Sequence, residues 1–389
     1  MNSMKERSFA GKGFSPLRFL IAGAIVLSAF VFVSPSNSQS AAKWKGTVKK
    51  EGGVTIVHNP KEPLYKGVIL TLKEEMAIGG AATQEPYSLA AVRSLAVDDT
   101  GNIFVLDEKD VVIKVFDKSG KYLKSFGQKG QGPGDLSNPS RITFDRTKRL
   151  LVVRNGPLGL SIFERDGAFL KTIVTEDIKA SHNAAFDTQG RLIINRIRVQ
   201  DMEHRWDVLK KYDSETTLAV ELKSIPIGSP YNVVAPIVAW TIDRKDNIIF
   251  GYPQKYEIEI IDSQGRTTKI IQKEYDLIEV GPAIKERSEK ALKELRLPPE
   301  ISSKIFLSKY HSAYTDFLVD ADNRLFVANW KQKGRDYFHD VFDEDGRYLI
   351  EVLLPYKSIL FEGGKLYACE ADSEDFPVVK RYAVTWGLK

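Results

Sequence analysis

A short frame that recurs six times constrains what this chain can fold into more than any other feature. The frame has an aspartate, a polar residue four places on and an aliphatic residue five places on. It first occurs at Asp98 with Asn102 and Ile103, then at Asp145 with Arg149 and Leu150, and at Asp187 with Arg191 and Leu192. It returns at Asp243 with Asn247 and Ile248, and at Asp320 with Arg324 and Leu325. In the sixth copy Phe361 stands in the acid's place, ahead of Lys365 and Leu366. A hairpin half follows in five copies: VFDKSGKYLKSF, IFERDGAFLKTI, KYDSETTLAVEL, IIDSQGRTTKII and VFDEDGRYLIEV. Strand-sized apolar runs alternate here with turn clusters such as Asp99-Thr100-Gly101 and Asp117-Lys118-Ser119-Gly120, so each unit reads as a four-stranded antiparallel meander. The markers lie roughly 40 to 80 residues apart, and the shortest gaps match the period of propeller blades. A blade covers its faces only against its neighbours and is stable only in a closed ring. The expected fold is all-β, a six-bladed β-propeller of four-stranded blades over residues 41–389.

The sixth repeat shows only three strands, around 358–361, 365–370 and 378–384. Upstream of the first marker, GVTIVHN (53–59) and KGVILTLKEE (66–75) also read as strands. An N-terminal strand is therefore expected to complete the last blade and latch the ring, which removes both free edges.

Residues 1–40 have the three-part layout of a secretory signal. A basic start precedes the apolar run 19–33 (FLIAGAIVLSAFVFV), and small residues follow up to a cleavage site before Ala41. The rival reading is an uncleaved anchor in the inner membrane through residues 19–33, a run short of the ~20 residues that span a bilayer comfortably. In both cases the body is exported, to the periplasm or beyond. The formal net charge is +5, and Lys5, Arg7, Lys12 and Arg18 against Glu6 supply three of those charges. What remains is too weak to argue for nucleic acid, and the only membrane contact expected is through the N-terminal segment. Cys369 is the sole cysteine, which excludes an intramolecular disulfide and a cysteine-based zinc site.

The run FGQKGQGPGDLSNP (126–139), followed by ITFD, resembles the NHL-repeat type of six-bladed propeller, and the chain is similar to exported bacterial propellers with an N-terminal signal. The resemblance extends over roughly residues 50–389, is strongest between 92 and 175, and implies the fold without choosing an activity. One insertion, 276–312, interrupts the repeats between blades 4 and 5. AIKERSEKALKEL (283–295) places Ile284, Ala291, Leu292 and Leu295 on one side of a helix, and a second helix is expected over 300–310. In propellers of this kind such connections lie on the ligand-binding face. The insertion reads as a lid, a partner-docking element or a structural cap.

No G-x-S-x-G, H-E-x-x-H or Walker-type loop is present, and no two of the five histidines are spaced as a metal pair. The repeat phase puts residues four and five places before each marker at the mouth of the channel: Arg93, Arg141, His182, Asn183 and Asp316 among them. Loops sharing that face offer Arg154, Arg196, Trp330 and Arg335, with Trp240 nearby. This basic and aromatic set suits an anionic or sugar-like ligand. The expectation is a non-enzymatic propeller binding a protein, glycan or other ligand on its loop face, with no cofactor. The alternative left open is a calcium-dependent hydrolase or lyase, as in propellers of the paraoxonase and regucalcin type. Asn183 and Asp316 could serve such a metal, whereas Arg93 and Arg141 would oppose it. The marker aspartates read as turn formers, since a metal needs oxygens converging on one point.

Overall fold

The computed structural model describes residues 43–201, 203–213, 217–295, 297–355 and 357–387, the side chains of 357–359 excepted. The expected signal or anchor, with its apolar run 19–33, lies outside the described residues.

The second strand of each blade carries the most continuous apolar run, because it is covered on both faces. In Ile103–Asp107 all five residues are buried, and Leu150–Arg154, Leu192–Val199, Ile248–Gly251 and Leu325–Lys333 follow the same rule in their first half. Outer strands such as Tyr122–Phe126 alternate between half-buried and exposed, as an edge requires. Four-stranded antiparallel sheets form over 92–126, 141–173, 181–226 and 316–354, and a further one forms the core of blade 4 over 239–273. Inner strands pack side by side around a channel, blade 1 on 2, 2 on 3, 4 on 5, 5 on 6 and 6 on 1. The inner strands of blades 3 and 4 touch least.

Closure of the ring is as expected. Leu70–Gly79 pairs antiparallel with Pro377–Trp386 and becomes the outer strand of blade 6. The preceding segment does more than the repeats foretell. Val54–Asn59 adds parallel to Thr267–Lys273 of blade 4, and Thr47–Glu51 pairs outside it, so this blade has six strands. Next, Leu64 and Tyr65 donate backbone bonds to Tyr348 and Leu349 of blade 5, at 3.1 and 2.9 Å. The N-terminal segment is therefore a belt over blades 4, 5 and 6.

Asn59 is its buckle. Fully buried, it donates to the carbonyls of Gln272 (3.1 Å) and Gly346 (2.9 Å) and accepts from the amide of Tyr348 (2.7 Å) and the indole of Trp44 (3.2 Å).

The glycine-rich run after blade 1 is a crossover. Leu136 within it is fully buried, and Gly127 at φ +81° has no room for a Cβ, which would meet Leu136 at 2.7 Å. Buried Asn155 pins the run by accepting from the Ser137 amide (2.6 Å) and donating to the Asp135 carbonyl (2.8 Å). In the sixth copy, Phe361 packs on Phe326 with ring centroids 4.6 Å apart, so an apolar contact stands where the other copies carry an acid.

The insertion forms the expected helix at Pro282–Glu294, yet none of its residues is buried. Ile284 and Leu292 are half-buried, while Ala291 and Leu295 are exposed. The second helix is shorter than expected: it covers only Pro299–Ser302. After a turn at 303–304 the helix does not resume, because Phe306 exchanges backbone bonds with Tyr231 and Val233 (3.0 Å each), the groups a helix would have used.

Candidate functional site

The marker aspartates close turns. Asp98, Asp187, Asp243 and Asp320 each accept from the amides two and four places on, at 2.8 to 3.0 Å, and Asp145 accepts from the amides of Thr147 and Lys148. Each carboxylate has one oxygen engaged by its own turn, and the five are spread around the ring. Among the described residues no three His, Cys, Asp or Glu side chains gather as a metal's ligands would.

The residue after the marker closes one end of the channel. Arg146 of blade 2 reaches across to Glu362 of blade 6 at 2.6 Å, and Arg244 of blade 4 approaches the same carboxylate at 3.7 Å. Arg244 also donates to the Phe361 carbonyl at 3.0 Å. These links from alternate blades tie the ring together and leave the channel to open at its other end.

At that open end the inner strands begin with Arg141 in blade 2, Ala239 in blade 4 and Asp316 in blade 5. Blades 2 and 5 stand opposite each other in a ring of six. Arg141 and Asp316 both keep contact with water while protein surrounds them, as channel residues do. Burial pulls the Arg141 guanidinium down, and the charge of Asp316 acts against that shift. Burial likewise pushes the Asp316 carboxyl up, opposed by the Phe317 amide that donates to it at 2.8 Å and by the charge of Arg141. Among the described residues Arg141 has no hydrogen-bonding or ion-pair partner, and Asp316 none beyond Phe317.

Both line a cavity of roughly 510 Å³ on the side of blades 3 and 4, where the inner strands touch least. Its floor is blade 3. There Asn195 donates to both oxygens of Asp207 at 3.2 Å, and Asp207, 4% exposed, is pushed up to about 6 by burial. Asn195 Oδ1 and Trp240 Nε1 are buried without partners among the described residues. Burial and the charges of Arg154 and Arg205 hold His182 below the usual imidazole range. The outer wall is the connection 227–238, with Ile227, Pro236 and Ile237 facing the cavity. Tyr252 fixes one end of this wall by accepting from the Gly228 amide at 2.7 Å. The insertion clasps its middle: Asn232 donates to Ser308 Oγ at 2.8 Å and pairs with Phe306.

Of the residues chosen from the sequence, Arg141, Asn183, Trp240 and Asp316 meet in this cavity, and His182 joins them. The other five do not. Arg154 stands beside it but is committed to Ser140 Oγ and the Ser181 carbonyl. Arg196 is held at 2.5 Å by Asp177, which also takes Lys210 and Tyr212 and is thereby lowered to about 2. Trp330 stacks on His311 at 4.0 Å and donates to Ser312. Arg335 pairs with Asp375, and Arg93 with Glu108, around a separate cavity between blades 5, 6 and 1. Of the basic and aromatic set expected at the mouth, Arg93, Arg196 and Arg335 are each paired with a neighbouring carboxylate. Asn195, Arg205 and Asp207 were missed. The available signal was a polar residue inside an apolar strand, as in LIINR and RWDVL.

Comparison with known proteins agrees with this architecture. A family model described as a six-bladed β-propeller (DUF5128) matches residues 82–217. A candidate exported protein of Bacteroides fragilis NCTC 9343 superposes over 86% of this chain and 100% of its own, with a TM-score of 0.57 and 15% identity. A member of the DUF4221 family from Bacteroides vulgatus covers 82% of this chain and 99% of its own, with a TM-score of 0.52 and 13% identity. At such identities the likeness is one of fold. The Drosophila melanogaster protein brain tumor is 24% identical over 123 residues, which are 30% of this chain and 12% of that protein's length.

Proposed function

We propose that this protein is an exported propeller that binds a small organic anion in the cavity at its channel mouth. The observation carrying the reading is Arg141: a guanidinium exposed to solvent, without a hydrogen-bonding partner among the described residues, on the wall of a cavity of roughly 510 Å³. That volume lies in the range of small-ligand pockets, about 300–1,000 Å³, and suits a free small molecule or the tip of a glycan or peptide chain. A carboxylate or phosphate can take two parallel bonds from such a group. Export is supported by the basic and then apolar start of the sequence and by the likeness to the candidate exported propeller of Bacteroides fragilis.

The test is a panel of small carboxylates, phosphates and acidic sugars, screened by thermal shift and followed by calorimetry. Arg141→Gln is expected to weaken a bound anion at least ~10-fold, since a hydrogen bond to a charged group contributes about 1.5–3 kcal/mol. Arg335→Gln, at the separate cavity, should leave binding unchanged. Equal affinity in the wild type and Arg141→Gln would overturn the reading.

A further inference from the structure

We infer that the ligand of this cavity is a zwitterion, an amino acid or the end of a short peptide, whose carboxylate meets Arg141 and whose ammonium meets Asp316. The inference rests on the anion-binding reading above and goes beyond it in requiring a second, opposite charge on the ligand.

The arrangement of charge is the reason. Arg141 and Asp316 line one cavity from opposite blades and do not pair with each other. Each strand begins at its charged residue, and each group feels the charge of the other without an ion pair between them. Asp316 is turned onto its own strand by the Phe317 amide. Both groups remain exposed to the cavity and are unpaired with each other, so a molecule carrying the complementary pair can meet both at once. A plain anion would satisfy Arg141 while facing the carboxylate of Asp316. The floor repeats the balance, since Arg205 and Asp207 lie two residues apart on one strand and both face the cavity.

Two further features fit the same class. Two residues that line the cavity carry a buried polar atom without a partner among the described residues, the donor Trp240 Nε1 and the acceptor Asn195 Oδ1, and a peptide or amino-acid backbone offers the complement of both. Part of the lining is apolar, with Ile227, Pro236 and Ile237, and Ile237 is 76% exposed. An aliphatic or aromatic side chain would cover it.

The experiment uses full-length protein and a panel of free amino acids and dipeptides, each with its N-acetylated and C-amidated form, read by calorimetry. In the wild type, N-acetylation and C-amidation are each expected to weaken binding by 10-fold or more. Asp316→Asn should erase the difference between free and N-acetylated forms, and Asp316→Glu should restore part of it. Binding of N-acetylated forms as tightly as free ones, with Arg141→Gln still harmful, overturns the zwitterion and leaves the anion reading standing. If no anion and no zwitterion binds to protein shown folded by near-UV circular dichroism, both fall.

Discussion

Replacing Asn59 by Ala tests the belt that closes the ring. The side chain makes four hydrogen bonds, and three of them are to backbone groups of blades 4 and 5. Truncation leaves the Tyr348 amide buried without a partner, at a cost of about 1–3 kcal/mol. The carbonyls of Gln272 and Gly346 each lose a neutral bond of roughly 1 kcal/mol, softened because a carbonyl has a second lone pair. Half-buried Trp44 can turn its indole to water, so that bond adds little. The expected loss is about 2–4 kcal/mol, with no loss of secondary structure. For a ring of about 350 residues, unfolding entropy of ~2.1 cal/mol/K per residue makes this a fall in Tm of roughly 3–5 °C. Asn59→Asp should cost more, because a carboxylate would face the two carbonyls that the amide now serves. Urea unfolding followed by tryptophan fluorescence gives the midpoint and the slope together. A change under ~0.5 kcal/mol for Asn59→Ala would show that blades 4 and 5 are held by strand pairing alone, and the buckle argument would be wrong.

Asp207 should make stability depend on pH. Its folded value near 6 lies above the ~3.9 of an unfolded aspartate, so the native state holds the extra proton and stability falls as pH rises from about 4 to 6. The loss is up to ~3 kcal/mol, and Asp207→Asn is expected to flatten that part of the profile, gaining stability at pH 7.5 and little at pH 4. Parallel profiles for the two proteins would refute the assignment. Asn232→Ala removes the side-chain link between the cavity wall and the insertion, and should cost about 1 kcal/mol while speeding amide exchange locally over 227–238 and 305–310. Unchanged exchange there would mean that the backbone bridge through Phe306 suffices.

Most of the fold can be read along the chain because its information is local. The marker aspartates write their turns within four residues, strands alternate or run apolar according to how many faces are covered, and blade count follows from counting frames. The latch on blade 6 was legible as a missing strand. The belt across blades 4 and 5 was not, since nothing in GVTIVHN specifies a parallel partner more than 200 residues away, and the residue that secures it is a single asparagine. The 300–310 helix was cut short at Ser302 for the same kind of reason, by backbone partners at Tyr231 and Val233.

The site divides along that line. Repeat phase was enough to bring Arg141, Asn183 and Asp316 to the channel mouth, because residues at one register of equivalent strands must share a face. What each arginine does there was decided by tertiary structure. Arg196 meets Asp177, Arg335 meets Asp375 and Arg93 meets Glu108, while Arg141 has no partner among the described residues. A side chain's period is set by its own strand, whereas its electrostatic partner is set by packing: the next blade supplies Asp375 to Arg335, the short helix 176–179 supplies Asp177 to Arg196, and the turn after the neighbouring strand supplies Glu108 to Arg93. Sequence alone therefore determined the ring and the shared register of Arg141, Asn183 and Asp316, and only the folded ring decided what else lines the cavity and which of those charges remain available to a ligand.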